Sequence, residues 1–263
     1  QVTTATMSGK VTAQDEPIIG ATIVAIHEPS GTRYGTVTNV SGQFNLQGMR
    51  TGGPYKVEIS YVGYQTAIYK GINLLLGENY VLNVSLKESS ELLDEVVVTA
   101  SKESNMKSDR AGAIMNANRD MISNTPTISR SISDIMRLSP QGADVGNGFA
   151  VGGGNYRQSF VTVDGAAFNN TFGLGGNLPA NGSPISLDAL EQVTVAVTPF
   201  DVRQSGFTGG AINAVTRSGD NQFRGTAYMY FNNENLKGSK VDDYELLRSK
   251  AQYYTYGASF GGP

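Results

Sequence analysis

Residues able to do covalent or acid–base chemistry are few here and poorly spaced for it. Histidine occurs once, as His27, and cysteine not at all, which excludes disulfides, thiolate nucleophiles and the usual multi-ligand zinc sites. Asp15-Glu16 and Asp242-Asp243 are adjacent carboxylates, and neighbours on an exposed turn are solvated rather than poised as an acid and a base. Asp164 closes an extended run just before Gly165, where turn formation accounts for it. Residues 151–158, VGGGNYRQ, resemble a phosphate cradle but lack the Gly-Lys-Ser/Thr of a P-loop and the spacing of a dinucleotide fingerprint, so a turn before a strand is expected. His27 ends an extended run with no second ligand type near it, and a surface or packing role is expected. No nucleophile, base and orienting group assemble from this inventory. The expectation is a protein without catalytic residues, cofactor or metal.

What remains is backbone chemistry. Residues 92–102 read LLDEVVVTASK, three valines and a threonine between two solvated Lys/Glu/Ser runs. β-Branched residues favour the extended form, and an extended strand offers its main chain to a partner strand. The flexible charged flanks are expected to keep Val96–Thr99 out of the chain's own sheets until that partner arrives. An ordinary buried strand between two domains is the alternative, and the residues alone weigh the two about equally.

The elements around this strand are read from periodicity. The 263 residues carry a net charge of −3, from 20 basic and 23 acidic residues. They contain no Lys/Arg block interleaved with aromatics, so nucleic-acid binding is set aside. No apolar run reaches the length of a spanning helix, and no basic-then-apolar leader opens the chain at Gln1, so either the protein is cytosolic or a leader has been removed. With 32 glycines, 13 tyrosines and 10 phenylalanines but 39% hydrophobic residues, many turns and short strands are expected. Strands are predicted at 7–13, 21–27, 33–38, 42–46, 55–61, 64–69 and 80–86, a seven-stranded antiparallel sandwich. Residues 88–106 form a linker around the valine run. A short amphipathic helix is predicted over 129–138, stopped by Pro140, and extended segments at 160–163, 190–197 and 211–216, together a compact α+β unit. Residues 223–231 alternate Phe, Gly, Ala, Met and Phe with Arg, Thr, Tyr and Tyr, and 252–260 are Tyr-rich. That length and dyad pattern fit outer-membrane barrel strands. Two strands cannot close a barrel, so the chain is expected to be an N-terminal part of something larger.

These pieces, in order, resemble the N-terminal portion of a TonB-dependent outer-membrane receptor, closest to the Oar-like branch. The resemblance is carried by LDEVVVTA at 93–100, by VTVDGAAFNNTFGLGG at 161–176, and by PISLDALEQVTVAVTPFDVRQSGFTGGAINAVTRSGDNQFRGTAY at 184–228. It implies a mainly β chain with an α+β plug: a carboxypeptidase-regulatory-like sandwich at 1–87, a linker with a TonB box at 88–106, a plug at 107–218, and the first two strands of an incomplete transmembrane β-barrel at 219–263. NVSGQFNL at 39–46 is similar to the family's sandwich domain, with Asn39 where Asp is common, which argues against a metal at that turn. Val-Ala-Val-Thr-Pro at 195–199 differs from the Glu-Val-(Leu/Val)-(Lys/Arg)-Gly of common siderophore receptors and points away from a siderophore substrate.

By this resemblance Leu93, Asp94, Glu95, Val96, Val97, Val98, Thr99 and Ala100 bind TonB of the TonB–ExbB–ExbD system, which pulls on the plug to open a path through the barrel. The Gly/Asn-rich loop at 168–182 offers Phe168, Asn169, Asn170, Phe172 and Asn177 to a peptide or sugar, or its glycines merely pack the plug against the barrel wall. The implied partners are TonB, outer-membrane lipid, the chain's own barrel and a periplasmic or surface accessory protein. The implied location is the outer membrane, with the N-terminal domain in the periplasm after removal of a leader. A second class of function is a soluble periplasmic or surface adhesion protein that uses the sandwich as its binding module. It predicts that 223–231 and 252–260 pair into an ordinary soluble sheet.

Overall fold

A computed structural model of the chain describes residues 3–89, 96–99, 114–127, 130–145, 148–169, 185–197, 209–236, 238, 240–242, 244–245 and 249–263. The first part is a sandwich. One sheet holds β1 (Ala5–Ala13) between β2 (Glu16–Pro17) and β5 (Gln43–Met49), with the short β8 (Asn79–Val81) and β9 (Val84–Ser85) also on β1. The other runs β10 (Val96–Thr99), β7 (Ala67–Leu74), β6 (Gly52–Ser60), β3 (Thr22–His27) and β4 (Thr32–Val37). Period-two burial in β1, β3 and β6 turns Met7, Val11, Ile23, Ala25, Tyr55, Val57 and Ile59 into a shared core, as the pleat dictates. Tyr55 is fully buried and its hydroxyl donates to the Arg50 carbonyl at 2.8 Å. That bond satisfies the one polar atom an aromatic ring of this size brings into a core.

The sequence-predicted strands fall within a few residues of the observed ones, with three differences. β7 begins at Ala67 rather than residue 64 because 61–64 form a turn around Gly63, whose φ is +85°. The expected 80–86 strand is two pieces, β8 and β9, and both run parallel to β1, so the sandwich is not purely antiparallel. Most consequentially, Val96–Thr99 is not held apart from the chain's sheets. It pairs with β7 in parallel, Val96 opposite Ala67 through Thr99 opposite Lys70. Charged flanks do not exclude a strand from a neighbouring edge when that edge has an unpaired row of N–H and C=O groups to offer.

The second part is built on a sheet in the order β11 (Ile114–Ala117), β16 (Leu190–Ala196), β17 (Ala211–Thr216), β14 (Phe160–Val163) and β15 (Ala166–Ala167), with β14 parallel to β17 and the other pairs antiparallel. A two-stranded arm, β12 (Gly142–Asp144) with β13 (Phe149–Val151), and two short helices complete it. The predicted helix is α2 (Ile132–Met136), placed by a Ser131/Asp134 capping box, in which each side chain meets a backbone N–H that the helix start leaves orphaned. α1 (Arg119–Asn124), capped by Asn118, was not predicted. Its six residues bury only Ile122 and are too few for a helical period to register. Ile132, Ile135, Met136, Leu187, Leu190, Val193, Val195 and Ile212 form this part's core.

The third part is a ribbon. β18 (Arg224–Asn233) and β21 (Gln252–Gly261) pair antiparallel over their full ten residues each, within two residues of the sequence-predicted limits. The polar stretch between them carries a small hairpin, β19 (Lys240–Val241) with β20 (Tyr244–Glu245), that no sequence signal announced.

Candidate functional site

Of the sequence-predicted partner-binding residues, Val96, Val97, Val98 and Thr99 form β10, while Leu93, Asp94, Glu95 and Ala100 lie outside the described residues. β10 stands at the end of its sheet. One of its edges is bound to β7, and among the described residues no strand pairs with the other. The neighbouring β7 holds an anomaly that sequence reading missed. Ile68 is 3% exposed, yet it is absent from the sandwich core that Ala67, Ile72 and Leu74 join, so it lies on the outward face. Its register partner on β10 is Val97.

Of the loop residues expected to meet ligand, Asn170, Phe172 and Asn177 lie outside the described residues. Phe168 packs against the core of the second part. Asn169 spends its amide on the main chain, accepting from Val161 N at 2.6 Å and donating to the Ser159 carbonyl at 2.8 Å. These two are thereby engaged in fixing the start of the loop. Asp164, at φ +49°, does more than turn the chain: its carboxylate accepts from Thr216 N at 2.8 Å and Thr216 Oγ1 at 2.6 Å, tying the end of β14 to β17. Residues 151–158 are a turn, with positive φ at Gly152 and Gly153 and Asn155 capping one turn of 3₁₀ helix. Asn39 Oδ1 accepts from the N–H groups of Ser41 and Gln43, both at 2.9 Å, so a neutral amide suffices at the turn where the resemblance expects Asp. Among the described residues no three His, Cys, Asp or Glu side chains cluster as metal ligands.

Two seams join the parts, and neither was legible in the sequence. In the first, the sandwich meets the second sheet through Leu76 N donating to Gln192 Oε1 at 3.1 Å, Asn116 Nδ2 donating to Glu78 Oε1 at 2.7 Å, and Asn221 N donating to the Pro29 carbonyl at 3.1 Å. His27, Arg50, Glu191, Arg217, Asp220 and Arg224 line a cavity of about 160 Å³ there. Burial pushes the Glu191 carboxyl above its ordinary value even though Arg217, Arg119 and Arg224 face it. His27 is buried against the Tyr55 ring, 5.0 Å between centroids, with Nδ1 2.7 Å from Ser30 Oγ. Its pKa is held down by that burial and then by Arg50, with Asp220 opposing.

The second seam joins the ribbon to the second part. Arg130 donates to Asp188 Oδ1 at 2.6 Å and to the Tyr230 hydroxyl at 3.1 Å, and its guanidinium lies 4.3 Å from the centroid of the Tyr228 ring. Burial opposes the charge on Arg130, and the bonds to Asp188 and Tyr230 outweigh it, so the pKa rises above the ordinary arginine value. Stacking a planar guanidinium on a ring while forking between a carboxylate and a hydroxyl is a task that lysine does poorly.

This seam fixes which way the ribbon faces. Tyr228 and Tyr230 share a face with Arg224 and Thr226, the face directed at the second part. The opposite face carries Phe223, Ala227, Met229 and Phe231 beside Tyr254, Tyr256, Ala258 and Phe260. On that face Phe223 is 72%, Met229 68% and Tyr256 and Phe260 each 80% exposed. No helix among the described residues is long and apolar enough to cross a membrane, which says nothing about strands.

Residues 6–87 match the family model of the carboxypeptidase regulatory-like domain. Over 142 residues, 51% of the chain, the sequence is 28% identical to the TonB-dependent transporter Oar of Myxococcus xanthus. Over 262 residues, 94% of the chain, it is 28% identical to the TonB-dependent receptor SusC of Bacteroides thetaiotaomicron. Together these matches support a TonB-dependent receptor N-terminal region. The matched stretches cover 13% of the Oar protein and 24% of the SusC protein. Among solved structures, the siderophore receptor PirA from Acinetobacter baumannii aligns with 57% of this chain and 22% of its own, at 19% identity and a TM-score of 0.43.

Proposed function

We propose that the chain is the periplasmic and plug-bearing portion of an outer-membrane importer, energised through TonB, that admits a large substrate such as a peptide or an oligosaccharide. The observation that carries this reading is the ribbon's orientation. A two-stranded sheet in water turns its apolar face inward and its polar face out; this ribbon does the reverse, aiming Tyr228 and Tyr230 at Arg130 and leaving Phe223, Met229, Tyr256 and Phe260 outward. That is the arrangement of a barrel wall, apolar toward lipid and polar toward what fills the lumen. On this reading 1–87 is a periplasmic extension, 88–106 the linker with the TonB box, 107–218 the plug, and 219–263 the first barrel strands.

Leu93–Ala100 is the segment TonB grips, with Val96–Thr99 supplying the ladder. In strand addition the main chain gives affinity and alternate side chains give register, a grip that resists pulling along the strand. The proton gradient of the inner membrane would supply the work, and ligand binding outside would be coupled to the box inside. The loop from Phe168 to Gly182 is the proposed ligand-facing part of the plug, with Phe172, Asn170 and Asn177 as contacts beyond the anchored Phe168 and Asn169.

The test is calorimetry of the isolated periplasmic domain of TonB against this chain and a Val97→Pro variant. Proline removes one ladder donor, so Kd is expected to rise about tenfold or more, the order of one lost bond of ~1.4 kcal/mol. Equal binding by both would place the grip elsewhere. Binding by neither would defeat energy coupling at this strand and favour the soluble adhesion protein.

A further inference from the structure

In an extended strand the N–H and C=O of one residue point to one side and those of the next to the other, so pairing on one edge occupies only half of these groups. β10 is in that state: its inner edge is laddered to Ala67–Lys70 of β7, and among the described residues no strand pairs with its outer edge. That ladder docks β10 on the sandwich, with Val97 in register with Ile68, a residue of β7 that is buried outside the sandwich core.

Resting on the reading of Val96–Thr99 as the TonB-binding strand, we propose that the sandwich is a presenting platform. It holds those four residues extended on β7 with their outer edge open. The partner's extended strand then adds to that outer edge, becoming a sixth strand beside β10, β7, β6, β3 and β4, and β10 stays on β7 throughout.

The physical argument is a comparison of two routes. If the partner first had to strip β10 from β7, the inner ladder would be lost, which opposes binding. If it adds at the outer edge, the ladder is kept. The extended backbone is then already ordered, so association sacrifices less chain freedom than it would with a free peptide. An open outer edge is also a hazard for self-pairing unless a partner takes it. The platform thereby gives the sandwich a role in the coupling step, as the scaffold that keeps the strand legible to its partner.

The experiment is amide hydrogen exchange at single-residue resolution on the full chain, alone and with the periplasmic domain of TonB. In the chain alone, the inward-facing half of the Val96–Thr99 amides is expected to be protected and the outward half open. With TonB, the outward half slows about tenfold or more while Ala67–Lys70 stays as it was. Faster exchange at Ala67–Lys70 on binding would mean that the strand is released, and overturns the platform. Exchange of all four β10 amides at the unprotected rate in the chain alone overturns it as well.

If TonB does not bind at all, the function reading fails and the platform with it, but docking on β7 is still read independently from the chain alone. Ile68→Asp supplies a second arm, since it charges the face beside Val97 and leaves the core-facing residues of β7 unchanged. With circular dichroism confirming the fold, the platform predicts TonB affinity weakened about tenfold. Affinity that is unchanged or tighter overturns it.

Discussion

The sandwich and the ribbon are both β structure with alternating side chains, and they use the alternation in opposite senses. In β6 the pattern puts Tyr55, Val57 and Ile59 into a core with no exposed surface at all, leaving Lys56 and Glu58 outside as an ion pair at 2.7 Å. In β18 the same pattern puts Met229 and Phe231 outside and sends Tyr228 and Tyr230 to the half-buried Arg130. Alternation therefore says that a strand has two faces, and only what stands beside it says which solvent each face is meant for.

Substitution of matched residues breaks that comparison most forcefully. Ile59→Ala in the sandwich is expected to cost about 2–5 kcal/mol in denaturant unfolding, because it leaves a cavity in a closed core. Met229→Ala on the ribbon should stay within about 0.5 kcal/mol in aqueous solution, since nothing packs over it. Insertion into a bilayer reverses the ranking. Met229→Lys, silent in water, is expected to cost about 2–4 kcal/mol of membrane partitioning if its face meets lipid, and an unchanged partition would remove the barrel reading.

A smaller effect is expected at the seam that sets the ribbon's orientation. Arg130→Met keeps the stem but leaves the Asp188 carboxylate without its 2.6 Å partner, for a loss of about 1–3 kcal/mol. Arg130→Lys should recover only part of it, because the fork and the stack on Tyr228 go together. Full rescue by lysine would reduce the seam to simple charge pairing.

The smallest effects come from pH and have opposite signs at two residues of the sandwich seam. His27 has a folded pKa below its free value, so its neutral form is the one folding favours. The stability it contributes is present above about pH 6.5 and is lost as pH falls through the folded value. Glu191 has a folded pKa above its free value, so its contribution is complete below about pH 4.5 and is lost as pH rises through the folded value. Unfolding midpoints across pH 4–8 should therefore flatten at the upper end of acidity in His27→Gln and at the lower end in Glu191→Gln. Parallel profiles for all three proteins would show that neither residue's titration is linked to folding.

Much of this architecture was readable before any coordinates. β14 begins and ends where the sequence places it, β16 and β17 agree to within a residue, and the ribbon strands to within two, because the first three are short runs of apolar and β-branched residues and the ribbon strands are long runs that alternate. Short elements were not readable: six-residue α1 and two-residue β2, β19 and β20 carry less than two periods of signal. Of the candidate site, the four residues of β10 were placed as a strand, and their dock was missed. Strand propensity is a property of Val96–Thr99, whereas the choice of β7 belongs to an edge some thirty residues earlier in the chain. Ile68 looked like an ordinary strand residue until its face was known.

By itself, then, the sequence determined which stretches are extended and which of their faces are apolar. Those follow from local sterics and from the pleat. Only the tertiary structure decided that β10 lies parallel on β7, that Arg130 turns Tyr228 and Tyr230 inward, and that His27 and Glu191 share a cleft. Each of these pairs residues distant in the chain, and the hydrogen bonds and desolvation that select them exist only once the sheets have been brought together.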